Sequence, residues 1–129
     1  MSSPFGGLLF LKSPGTSGCS ITVSLHHVVL TPTYDLNDSK RAINWHHRQH
    51  HAQGLWADIA SRYMVFNLPS KSVLHMTSTQ LDDALQFWDS VLLAHHDLRG
   101  TKPTHRERVV SDVKPRTGYM RKRIQSFYI

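Results

Sequence analysis

The stretch Thr77-Ser-Thr-Gln-Leu-Asp-Asp-Ala-Leu-Gln-Phe-Trp-Asp-Ser-Val-Leu-Leu-Ala-His-His-Asp-Leu-Arg99 carries the strongest periodic signal in the chain. Leu81, Ala84, Leu85, Trp88, Val91, Leu92 and His95 recur at three- and four-residue spacing, which lines one face of a helix. Asp82, Asp83, Gln86 and Asp89 are then left to face water. Thr77 to Gln80 has the S/T-x-x-Q form, in which each side chain satisfies a backbone N–H that a helix start leaves unpaired. Arg99 suits the negative end of the helix dipole. Gly100 supplies a left-handed stop, and Pro103 follows. The pattern predicts a helix over 78–99.

Upstream, Ala42, Trp45, Gln49, Ala52, Trp56, Ile59 and Tyr63 keep the same alternating spacing and predict a helix over about 38–63. Asn37 or Asp38 is available to cap it. Gly54 weakens its middle by about 1 kcal/mol relative to Ala, a cost that makes sense where another helix comes close. Residues 64–76 stay unassigned, with Pro69 dividing two short apolar pieces. Near the N-terminus, Gly7–Lys12 is a short apolar run and Ser13–Gly18 a cluster of turn formers. Ile21, Val23 and Leu25 then alternate with polar residues, so a β-hairpin is expected over 7–30. The expected fold is α+β, mostly α: a small hairpin and two amphipathic helices packed antiparallel. Trp45 and Trp56 would face Leu85, Trp88 and Leu92 across the pair. Residues 1–100 form the compact body in this reading, and 101–129 an extended arm.

The arm is predicted from charge and breakers. Residues 1–100 hold seven basic and seven acidic residues, whereas 101–129 hold eight basic and two acidic ones. The formal net charge of +6 therefore lies wholly in the last segment. Lys102-Pro103, Lys114-Pro115 and Thr117-Gly118 interrupt any helix there. A neutral body with a basic extension fits an arm that grips an acidic or polyanionic surface. Its candidate partner-binding residues are Arg106, Arg108, Lys114, Arg116, Tyr119, Arg121, Lys122, Arg123, Phe127 and Tyr128.

Chemistry finds less support. The histidines fall in doublets, His26-His27, His46-His47, His50-His51 and His95-His96. His46/His50 and His47/His51 are i, i+4 pairs able to share a metal, but no third ligand lies nearby in sequence. Asp82 and Asp83 are adjacent on a helix, about 100° apart, and so are poorly placed to flank one substrate atom. There is no G-x-S-x-G elbow, and Gly15–Gly18 lacks the Lys and spacing of a phosphate loop. No catalytic, cofactor or metal residue is assigned. The lone Cys19 excludes an internal disulfide. No apolar run approaches the roughly 18 residues needed to cross a bilayer. The Ser- and Thr-rich, acid-free residues 1–34 partly resemble an organellar targeting segment in composition, and an intracellular, mitochondrial location is expected.

These readings predict a non-enzymatic accessory subunit of a large multiprotein assembly, such as a mitochondrial respiratory or ATP-synthase complex. Its partners would be other protein subunits, with anionic lipid headgroups or RNA as further candidates for the arm. A ribosomal or other RNA-binding protein is the second expectation and a His-liganded metalloprotein the third.

Overall fold

The structure, a computed structural model, describes residues 8–10, 20, 22–111 and 120–122. Its elements are β1 (Thr33–Asp35), α1 (Arg41–His51), β2 (Trp56–Ala60), β3 (Met64–Pro69), a 3-10 turn (Ser70–Ser72), α2 (Ser78–Leu98), β4 (Glu107–Ser111) and β5 (Met120–Lys122). The strands form one mixed sheet in the order β1-β2-β3-β4-β5. β1 and β2 are parallel and joined through α1, and β3 and β4 are parallel and joined through α2. Parallel neighbours need a crossover, and each helix supplies one. The antiparallel pair β2–β3 needs only the short turn Ser61–Tyr63.

One row of Cα partners shows which face holds the core. Tyr34 lies opposite Ile59, Ile59 opposite Phe66, and Phe66 opposite Val109. The Tyr34 ring meets the Trp45 ring of α1 edge-on at 5.6 Å, and its hydroxyl donates to Asp82 of α2. Phe66 lies 5.8 Å from Trp88 of α2, so both helices cover this face. Trp45, Leu81, Leu85 and Leu92 complete the buried cluster with Ala57, Met64 and Val73.

The expectation of a mostly helical body built on a helix pair is overturned. The helix expected over 38–63 ends at His51, Ala52 turns extended, and 56–60 is a strand. Trp56, Ile59 and Tyr63 share the helical spacing, but the inward positions follow period two, Ala57 and Ile59 and then Met64 and Phe66. Gly54 marks a close approach, though not of a helix. Its N–H donates to the Leu30 carbonyl at 2.9 Å, and a Cβ there would stand 3.0 Å from the Thr31 Cα. The unassigned 64–69 piece is the central strand, buried on both faces from Met64 to Asn67. No described residue of the expected hairpin 7–30 is in a strand, and its turn, 13–18, lies outside the described residues. Of the expected arm 101–129, Glu107–Ser111 is instead a strand of the sheet between β3 and β5, while 112–119 and 123–129 lie outside the described residues. α2 starts on the reciprocal Thr77/Gln80 cap and is followed by Gly100 at φ +63°.

Two carboxylates expected to face water are turned inward. Asp82 accepts from the Tyr34 hydroxyl and from both Nε and Nη2 of Arg41, tying α2 to β1 and α1. Asp89 accepts from the Ser61 hydroxyl and the backbone N–H groups of Arg62 and Tyr63, clamping α2 to the β2–β3 turn. The Arg41 guanidinium holds the Asp82 carboxyl below the usual range, helped by the Tyr34 hydroxyl and opposed by burial. Burial first, then the bond to the Asp82 carboxylate, push the Tyr34 phenol up to about 12.

Asp82 therefore contributes stability above the ordinary aspartate range and loses it as pH falls through the lowered value. In urea titrations from pH 2 to 7, the advantage of the wild type over Asp82→Asn is expected to grow with pH and then level off. An advantage constant across that range would contradict the assignment. Trp45 is 1% exposed and its Nε1 donates to the Met76 carbonyl, whereas Trp88 is 40% exposed. Trp45→Ala is expected to cost about 3–5 kcal/mol in the same assay, and Trp88→Ala clearly less.

Candidate interaction surfaces

Three features of the surface call for a chemical account. The first is the sheet face turned away from the helices. There the Cα partners run Asp35, Ala60, Val65, Arg108 in one row and Thr33, Asp58, Asn67, Val110 in the next. Arg106, just before β4, makes a two-armed bridge to Asp35 of β1 with Nη1 and Nη2 at 3.0 and 3.1 Å. Arg108 donates from Nη1 to Asp58 at 2.9 Å and to the Asn67 amide oxygen at 2.8 Å. The Asn67 amide also donates to Asp58. Phe10 lies over the Arg108 guanidinium, with 4.5 Å from Cζ to the ring centroid. Arginines placed by sequence among partner-binding residues thus pair with acids of the body.

The second feature is an uncharged apolar region around Thr22–Leu30. Val23, Leu25, Val28, Val29, Leu30, Leu9, Phe10 and Leu55 are between 45% and 71% exposed. Most of them border an open cavity of about 600 Å³ beside Gly54 and Trp56. Among the described residues lining it, His27 is the one titratable side chain. His27 adopts φ +57°, a left-handed conformation that a side chain takes at a cost. Gly54 fixes the inner edge of the cavity by admitting the Leu30–Thr31 backbone.

The third is a groove of about 240 Å³ between the C-terminal half of α2 and the sheet. Met64, Trp88, Leu92 and Val109 form its apolar walls, while His95, His96, Arg99 and Glu107 lie at its polar end. The His96 Nδ1 is 2.8 Å from the Thr101 hydroxyl, and its Nε2 is 3.9 Å from Glu107. That line offers a hydroxyl, a base and a carboxylate. However, Thr101 closes the end of α2, with its N–H on the His96 carbonyl at 2.9 Å, and the carboxylate contact is longer than a hydrogen bond.

The helix-face histidines meet in pairs, His46/His50 edge-on and His47/His51 tilted. Ring centroids are 5.1 Å apart for His46/His50 and 4.3 Å for His47/His51. Among the described residues, no group of three or more His, Cys, Asp or Glu is close enough to hold a metal ion. Of the other expected partner-binding residues, Arg121 and Lys122 are in β5. Lys114, Arg116, Tyr119, Arg123, Phe127 and Tyr128 lie outside the described residues. Among the described residues, no helix is long and apolar enough to cross a membrane.

Sequence reasoning missed the exposure of Val28–Leu30. The hairpin expected over 7–30 includes them, and no residue type in that run marks it as exposed. Comparison with known proteins gives no similarity to report: no family model, no curated protein and no solved structure matches the chain.

The Asp58 side chain is only 19% exposed, so removing its arginine leaves a half-buried carboxylate short of a partner. Arg108→Met is expected to destabilise the fold by about 1–3 kcal/mol in urea unfolding, with much of the loss recovered by adding Asp58→Asn. Equal stability of Arg108→Met and wild type would show that the bridge is only a surface contact.

Proposed function

We propose that the protein is a non-catalytic accessory subunit of a larger protein assembly, covered at its Thr22–Leu30 surface by an apolar segment of a partner subunit. The observation that carries this reading is the concentration of large exposed apolar side chains around one uncharged cavity. Monomeric proteins seldom leave such a patch in water, because each buried Å² of apolar surface is worth about 25 cal/mol. The absence of Lys and Arg among the described residues lining the cavity favours a polypeptide over a nucleic acid, whose phosphates need cations. The pairing of Arg106 with Asp35 and Arg108 with Asp58 favours it too, since these cations serve the fold.

The test is sedimentation of the full chain from native extract. Wild type should run in a particle much larger than the monomer and stay there through a high-salt wash and nuclease treatment. Val29→Asp combined with Leu30→Asp should shift the chain to the monomer position while its circular dichroism spectrum is unchanged. A wild-type chain that runs as a monomer, or leaves the particle with nuclease or salt, overturns the reading. The last outcome would favour RNA as the partner.

A further inference from the structure

We infer that the outward face of α1 binds an exchangeable divalent ion of the imidazole-preferring class, held by the pairs His46/His50 and His47/His51. The inference uses other residues than the proposed partner surface and does not rest on that reading. Four of the six residues 46–51 are histidines, all four are exposed, and α1 carries no acid. The other polar side chains of the helix are used differently. Arg41 is bonded to Asp82, Asn44 to Asp38, Trp45 to the Met76 carbonyl, Arg48 to the Thr33 carbonyl, and Gln49 to the Leu74 and Met76 carbonyls. Each of these ties α1 to the rest of the fold. Among the described residues the four imidazoles have no hydrogen bond or ion pair, and their ring contacts are with one another.

The geometry suits two imidazoles on one ion. Positions i and i+4 lie one turn apart on the same helix face. Two ring nitrogens about 2.0–2.1 Å from a shared ion keep their ring centres within about 6.5 Å of each other. The observed 5.1 Å and 4.3 Å fall inside that span, so side-chain rotation alone can aim one nitrogen of each ring at the ion. His50 and His51 stand in the last turn of α1, where the carbonyl end of the helix favours a cation. Imidazole selects zinc, copper or nickel, whereas calcium and magnesium take oxygen ligands. A closed structural site needs four protein ligands. Two ligands leave the remaining positions to water, and no outer group fixes the rings among the described residues, so the ion is exchangeable.

The test is calorimetric titration of the full chain with nickel(II) at pH 8, where free imidazole is neutral, in a buffer that does not chelate. Wild type should bind its first ion at least about tenfold more tightly than His46→Ala/His47→Ala. That variant keeps two imidazoles but leaves them on adjacent helix positions, about 100° apart. His50→Ala/His51→Ala breaks the same spacing from the other end and should match it. Equal nickel affinity in wild type and either double variant overturns the inference, because the ion is then held elsewhere or not at all. Magnesium bound as tightly as nickel overturns the assignment to imidazole. One ion shared by two chains, with a dimer in sedimentation, overturns the single-chain site and assigns the histidines to an interface between copies.

Discussion

Two carboxylates seven residues apart on one helix hold the layers together. Asp82 and Asp89 are two turns apart on α2, so they lie on the same side. One joins α2 to β1 and α1, and the other joins it to the β2–β3 turn. Between them, Leu85 is buried to 2%. Hydrophobic burial pulls the helix onto the sheet without fixing its rotation or register. A carboxylate accepting several bonds in a fixed geometry does fix them, because a slip of one residue would leave a partly buried charge unsatisfied. Asp89 has the more demanding position, since two of its three donors are backbone N–H groups of a tight turn. The turn and the helix therefore specify each other.

The opposite sheet face solves a different problem with similar chemistry. Only one layer of helices is present among the described residues, yet Ala60 and Val65 on the other face are 6% and 5% exposed. Arg106 reaches from the start of β4 to Asp35 on the far edge strand, and Arg108 reaches to Asp58. Long guanidinium side chains lay their methylene stems over apolar residues while their heads stay paired. Exposed ion pairs contribute little by Coulomb attraction alone. Here the larger contribution comes from cover and from satisfying Asp58, and Phe10 adds a second layer over Arg108.

This explains which parts of the fold were legible from sequence. α2 was legible with its cap and stop, because capping is local chemistry written in four adjacent residues, Thr77 to Gln80. The boundary at His51 was hidden because Trp56, Ile59 and Tyr63 happen to keep helical spacing while sitting in a strand and its turn. The sheet was hidden for the same reason, together with the shortness of β1 and the brevity of β2. Inward-facing Asp82 and Asp89 were invisible to a hydrophobic stripe, which counts every acid as outward. Of the candidate site residues, Arg106 and Arg108 stood out by charge, but charge alone says nothing about Asp35, 71 residues away from Arg106.

The distribution of charge and apolar surface then bears on what the molecule can recognise. In sequence, the last 29 residues hold eight cations and look like a polyanion grip. In the fold, β4 and the residue before it place two of those cations against acids of the body. A paired guanidinium has already exchanged much of its hydration for a carboxylate, so recruiting it to a phosphate requires breaking that bridge. Around Thr22–Leu30 the exposed Val and Leu side chains have no polar group to desolvate and gain by any contact that removes water from them. Apolar recognition is not weakened by charge screening, whereas a grip through lysines and arginines weakens as ions screen it. Arg106 and Arg108 are thus engaged with acids of the sheet, while the aliphatic side chains around Thr22–Leu30 stand in water.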